Sequence, residues 1–295
     1  MASKYESLSK KWASRNEKLK SDLYKKHRPS LDYVFKSSKH FLLGSVGGLM
    51  LLAAPAPLAL PSPHNLITIE QVSDQLNKKI SLYSALAQAL PLEVRPLTSE
   101  EEQKIADILS GNFGVKVLPE IDGKKLNRSY GLIGGEQHLY RFPGDTLLKH
   151  AESPSDIEMY LSSGIAPSLG AWRFFAPNQK DFTEKDMLRE RYYVAVQTFL
   201  APDFNKNVGG YRDFFKYRKM LVVNPKNGQA VAAVIGDAGP AEWTGKHLGG
   251  SPEVMHYLGL GKGPRKGSVL YFFIDDPEDK VPLGPVESII KIKFT

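Results

Sequence analysis

Leu221–Gly259, LVVNPKNGQAVAAVIGDAGPAEWTGKHLGGSPEVMHYLG, carries two short runs of β-branched or small apolar residues with a turn between them. The runs are Leu221 to Val223 and Ala230 to Ile235. Between them lies Asn224-Pro225-Lys226-Asn227-Gly228, and Asn-Gly supplies the positive φ that a tight turn needs. The spacing predicts a β-hairpin. Its second strand runs into Gly236-Asp237-Ala238-Gly239-Pro240, where glycines permit a sharp bend and leave Asp237 at the strand's mouth with few bulky neighbours. Ser251-Pro252-Glu253 then opens a short helix: Ser is a good N-cap, Pro fits the first turn, and Glu suits the positive end of the dipole. Val254, Met255 and Leu258 supply its apolar face and Gly259 its stop.

The order strand, N-P-x-N-G turn, strand, D-x-G-P, small helix ending in L-G resembles the second half of a double-psi β-barrel of the rare lipoprotein A and expansin type. Ser163-Gly164-Ile165-Ala166 through Trp172 looks like that family's opening strand, and Tyr192 to Thr198, YYVAVQT, like its next one. The resemblance covers roughly Ser162 to Asp275. It implies a six-stranded barrel at 151–295 acting on or binding peptidoglycan or a related wall glycan, with lytic transglycosylase chemistry in some relatives and binding alone in others. In one place the chain departs from the pattern. The family's D-L-S before the helix falls on Gly249-Gly250-Ser251, so an acid of the lytic members is replaced by Gly249.

Working outward, residues 1–40 form a polar, basic segment with 11 Lys and Arg against 4 Asp and Glu, leaving 28 of each sign in the remainder. The net charge of +7 therefore belongs to the first forty residues. A phosphate-binding face on the globular part would need basic excess there, so no nucleic-acid partner is expected. Residues 41–61, FLLGSVGGLMLLAAPAPLALP, are uncharged and long enough to cross about 30 Å of hydrocarbon. With the basic segment before them they predict a single-pass signal anchor, N-terminus cytoplasmic and the remainder outside; cleavage near Ala53, Ala54 or Ala56 is the alternative. The absence of cysteine excludes disulfides and thiolate metal sites.

Residues 62–150 read as a helical and hairpin segment. Apolar residues recur at helical spacing from Ile69 to Leu90, and Thr98-Ser99-Glu100-Glu101 starts a second helix with capping-box chemistry, expected to stop at Gly111. Val115 to Leu118 reads as a strand. The stretch around Gly134-Gly135 reads as a hairpin or tight turn, with Tyr130, Glu136, Gln137, His138, Tyr140 and Arg141 forming a dense polar and aromatic group. A short helix with Thr183 and Asp186 as its cap pair is expected within Asp181 to Arg191, a long loop from Pro202 to Tyr217, a closing strand from Ser268 to Ile274, and a last edge strand from Val286 to Phe294. The fold class is thus α+β.

For chemistry, Asp237 is the candidate general acid or base if burial raises its pKa, and Glu242 the candidate assistant. A lytic transglycosylase needs only one such group in principle, because the sugar's own hydroxyl attacks. The alternative for Asp237 is a turn-holding carboxylate. Trp243, Thr244, Lys246 and His247 place an aromatic platform, a hydroxyl, a cation and an imidazole on one loop, suited to an anionic glycan. Ser251, Trp172, Tyr193 and Gln197 are further candidates for substrate contact. The seven histidines are dispersed without H-E-x-x-H spacing, and His138, His247 and His256 would meet only through tertiary folding. No metal or cofactor is expected.

Overall fold

The computed structural model describes residues 82–289, all within the second of the chain's two compact units, Ile67–Thr295. The first unit, with the predicted basic tail and membrane anchor, lies outside the described residues. Among the described residues no helix is long and apolar enough to cross a membrane.

The described part is α+β, and its centre is a closed six-stranded mixed β-barrel. The barrel strands are β4 (Tyr130–Gly135), β5 (Tyr193–Val196), β6 (Lys219–Val223), β7 (Ala230–Ala238), β8 (Leu248–Gly250) and β9 (Lys266–Ile274). They close in the order β9-β4-β8-β5-β7-β6 and back to β9. The β4–β8 and β5–β7 pairs are parallel and the other four antiparallel. Ahead of the barrel come α1 (Ser99–Phe113), β1 (Val117–Leu118) and a two-stranded ribbon of β2 (Glu120–Ile121) and β3 (Lys124–Lys125). Between the strands lie α2 (Pro154–Met159), α3 (Glu184–Arg191), α4 (Val208–Phe215) and α5 (Pro252–Tyr257). β1 extends the sheet along β9, and β10 (Gly284–Val286) along β7.

Side-chain alternation along the strands separates two cores. Met220 and Val222 of β6, Val231, Ala233 and Ile235 of β7, and Val269, Tyr271 and Phe273 of β9 fill the barrel, where Phe214, Phe215, Val254, Met255 and Leu258 plug it from α4 and the α5 segment. The intervening residues, Leu221, Val223, Leu270, Phe272 and Ile274 among them, face outward and are covered by Ile105, Leu109 and Phe113 of α1 and by Leu82 and Leu86 of the helical stretch 82–89. Both faces of these strands are therefore dry, which is why they read as continuous apolar runs. Each fully buried aliphatic or aromatic side chain contributes about 1.5–3 kcal/mol.

The hairpin at 221–235 forms as its turn predicts, with Val223 paired to Ala230 and Gly228 at φ 71°. α1 has the expected capping box, Thr98 with Glu101, but runs past Gly111 to a left-handed Gly114. α3 carries the Thr183–Asp186 box and α5 the Ser251 cap. Three expectations need correction. The barrel starts at Tyr130, upstream of the boundary at 151, because β4 is no hairpin but a strand inserted between β8 and β9. Ser163–Trp172 is not its opening strand: after a 3-10 turn at Leu161–Ser163 and a left-handed Gly164 it pairs only through the bridge His138–Ile165. Pro202–Tyr217 contains α4, which buries Tyr211, Phe214 and Phe215. Among the described residues the last strand is Gly284–Val286, ending where the expected edge strand was to begin; most of that Val286–Phe294 strand lies outside the described residues.

Candidate functional site

Strands β4, β7 and β8 bring two carboxyl groups near one another, Glu136 and Asp237, close enough for the charge of the second to act on the first. Asp237, the penultimate residue of β7, is half-buried, and its Oδ1 accepts hydrogen bonds from Ala171 N at 2.6 Å and Ala238 N at 2.8 Å. Burial raises its pKa, and the two backbone donors pull it only part of the way back. Both bonds fall on one oxygen. Gly170 packs against the same carboxylate, leaving no room there for a larger residue without displacement.

Glu136 follows β4 directly. Burial raises its pKa as well; Lys246 lowers it through charge and hydrogen bonding, the nearby Asp237 charge raises it, and Arg265 lowers it. Lys246 Nζ stands 3.2 Å from Glu136 Oε1 and 3.3 Å from the Gly135 carbonyl. Arg265 lies over Gly135 and donates to Ser163 Oγ at 2.8 Å. The decisive geometry is at Gly249. In the parallel β4–β8 register Gly134 faces Gly249, and a β-carbon at 249 would come within 2.7 Å of Glu136 Cδ and closer still to Cγ and Oε1. Glu136 thus occupies the space that a side chain at 249 would take.

The other predicted residues divide into three groups. Lys246 joins the carboxylates as described. Trp243, 88% exposed on the 3-10 turn Glu242–Thr244, is a free aromatic surface rather than a core residue. Glu242 is exposed on that turn, and no contact links it to Asp237. Thr244 holds the turn, donating to the Ala241 carbonyl at 2.7 Å and accepting from Lys246 N at 3.2 Å.

Structural roles account for the remainder. His247 Nδ1 accepts from Leu132 N at 2.9 Å, and its pKa is lowered by burial and by the charges of Arg128 and Lys266. Lying against Gly131, it is part of the strand pairing. Ser251 is fully buried, donating to the Arg191 carbonyl at 2.6 Å and capping α5. Tyr193 packs against Gly236 and donates its hydroxyl to the Gln137 carbonyl, which fixes the residue next to Glu136. Gln197 is buried and ties the Pro240 carbonyl (3.0 Å) to the Lys246 carbonyl (3.3 Å), so it sets the spacing of the two loops that border the site. Trp172 is buried, donates to the Ile235 carbonyl at 3.0 Å, and lines a separate open depression of about 400 Å³ with Arg173, Arg212 and Lys216.

Glu136 is the residue that sequence reasoning placed in a polar group without a role. Its signal was the pair of Gly-Gly steps at 134–135 and 249–250, which mark two backbones with room for a neighbour's side chain. The histidines do not meet in the grouping the sequence suggested. His256 packs edge-on against Tyr160, His247 is in the sheet, and His138 meets His150. In comparisons with protein-family models, curated proteins and solved structures, nothing matches this chain.

Proposed function

We propose that the chain is a membrane-anchored cell-envelope protein that acts on peptidoglycan or a related wall glycan through a double-psi barrel of the rare lipoprotein A and expansin type, as a lytic transglycosylase. The observation that carries this reading is the pair of neighbouring half-buried carboxyl groups, Glu136 and Asp237, both with raised pKa, with Lys246 against Glu136. Two parallel strand pairs within an otherwise antiparallel closed barrel are compatible with a double-psi topology. The predicted anchor at 41–61 supplies the location.

In this reading Asp237, whose pKa burial raises, gives a proton to the glycosidic oxygen as the C1–O bond breaks. The sugar's C6 hydroxyl then attacks C1, and its proton passes to a carboxylate, Asp237 or Glu136, closing an anhydro ring without water. Lys246 tempers the charge of Glu136 and offers a cation to acidic groups of the glycan or its peptide. Trp243 offers a ring face on which a sugar can stack.

A noncatalytic wall-binding module is the second reading, and Asp237 is the observation in its favour. A carboxylate that accepts two backbone N–H bonds is also a sound turn brace. Incubating the full chain with purified peptidoglycan separates the two. Released anhydro-sugar fragments, seen by mass spectrometry, support the enzyme; cosedimentation without products supports the module. Neither products nor cosedimentation would sink both.

A further inference from the structure

His138, His150 and Glu190 converge from three separate stretches of chain. His138 follows Glu136 by two residues, His150 ends the 3-10 turn Leu147–His150, and Glu190 lies in the last turn of α3. They are 0%, 5% and 3% exposed, and one potential ligand atom from each lies within 4.8 Å of the others. Glu190 stands between the two rings: Oε1 is 3.3 Å from His138 Nδ1 and Oε2 is 3.1 Å from His150 Nδ1. A zinc ion with bonds of about 2.0–2.1 Å holds neighbouring ligand atoms about 3.3 Å apart; each Nδ1 lies near that distance from a different oxygen of Glu190, so a small shift of the carboxylate or a ring would bring one oxygen and both nitrogens to a single ion.

The surroundings orient the donors. Asp145 Oδ2 is 3.0 Å from His150 Nε2, so a proton held there leaves Nδ1, which donates to Glu190, as the nitrogen that a metal would take in place of its proton. Asp145 is itself fixed by Arg141, whose Nε and Nη2 each donate at 3.0 Å and whose backbone N donates at the same distance, and by Thr146 N at 2.9 Å. Leu139 N holds Glu190 Oε1 at 3.0 Å. Asp145 is thus neutralised by Arg141, which leaves Glu190 as the carboxylate available to the pair of imidazoles. Three of the four ring nitrogens have carboxylate partners; the fourth, His138 Nε2, is buried without one.

We propose that His138, His150 and Glu190 bind one zinc ion, with Asp145 as the outer carboxylate that orients His150. Two imidazoles and a carboxylate suit zinc, with water for the fourth position. It would fasten the loop that leaves β4 to the end of α3, two residues ahead of β5. The site does not depend on what Glu136 and Asp237 bind.

The test uses the untagged full chain, stripped with chelator and checked for native circular dichroism, then titrated with Zn²⁺ and separately with Co²⁺. One ion per chain, a higher thermal midpoint, and Co²⁺ visible absorption as intense as four-coordinate sites give are expected. Glu190→Gln and His150→Gln should lose uptake. Asp145→Asn should weaken it roughly 10- to 100-fold, as loss of an orienting carboxylate does, and His256→Asn should leave it unchanged. If Glu190→Gln or His150→Gln does not fold, the parent titration and Asp145→Asn decide. A folded, stripped parent that takes up neither ion stoichiometrically, or a Glu190→Gln chain that binds like the parent, overturns the proposal and leaves a hydrogen-bonded charge network in its place.

Discussion

Gly249→Ala tests whether Glu136 is held where the barrel puts it. The backbone at 249 is not left-handed, so alanine adds no φ strain and the contact alone matters. Its β-carbon would stand 2.7 Å from Glu136 Cδ, against an ordinary carbon separation of about 3.5–4.0 Å. Glu136 must therefore swing off β8 and give up its 3.2 Å contact with Lys246. Both side chains are more than a quarter exposed, so that pair is worth at most about 1 kcal/mol. Residual crowding between β4 and β8 brings the total loss to about 1–3 kcal/mol, in the range for inserting a methyl group into a packed site. For a domain of this size the thermal midpoint should drop by about 2–12 °C. Activity should fall much further. If Glu136 works at the site, Gly249→Ala should match Glu136→Gln, each losing about 10²-fold or more of anhydro-sugar release, the scale of a general acid or base. The measurements are urea unfolding and product release on the full chain. Adding Gly249→Ala to a Glu136→Ala background should cost almost nothing, because the clash is gone. Parent-like stability and release in the single variant would refute the reasoning.

Asp237→Asn should abolish product release while moving stability by less than about 1 kcal/mol, since the amide oxygen can still accept from Ala171 and Ala238; unfolding instead would make the carboxylate a brace for its turn. Trp243→Ala should leave the unfolding midpoint unchanged, the ring being 88% exposed, and weaken glycan cosedimentation by roughly 1–3 kcal/mol; unchanged binding would remove Trp243 from the site. Glu253 is 2% exposed, and burial pushes its pKa up to about 8, with the charge of Glu190 adding to the rise. A raised carboxyl pKa means the folded chain holds the proton that the unfolded chain releases near 4.5, so this contribution is present below about pH 4.5 and is lost as pH climbs toward about 8. Glu253→Gln should accordingly match the parent at pH 4 and exceed it at pH 9 in parallel urea titrations; a difference independent of pH would contradict this.

The parts of the fold legible in the sequence were those specified locally. The Asn227-Gly228 turn, the Thr98 and Thr183 capping boxes and the Ser251 cap each act within a few residues, and each forms. β4 was not legible. Tyr130–Gly135 contains three glycines and earns its place through a parallel partner 115 residues later, Ile133 with Leu248, which no local pattern encodes. The opposite error occurred at Ser163–Trp172, where likeness to a family strand outweighed Gly164, Pro167 and Gly170, residues that favour a loop. In α4 the helical signal was present in Tyr211, Phe214 and Phe215, spaced to one face, but Gly209 and Gly210 in its first turn masked it.

The site was half legible for a related reason. Asp237 is marked by the glycines and proline around it, features of its own segment, and its charge acts on Glu136. Glu136 becomes significant only through Gly249, and the two are joined by register rather than by sequence distance. A motif comparison asks which residue fills a position in the chain, and at 249 it finds glycine where an acid was expected. In the proposed reading the chemistry depends on which carboxylate fills a position in space. The β4–β8 register lays Glu136 over Gly249, and the glycine is what makes room for it. The same logic explains why His247, which looked reactive on its loop, is spent on the sheet: its Nδ1 accepts from the very strand, at Leu132 N, that leads to Glu136.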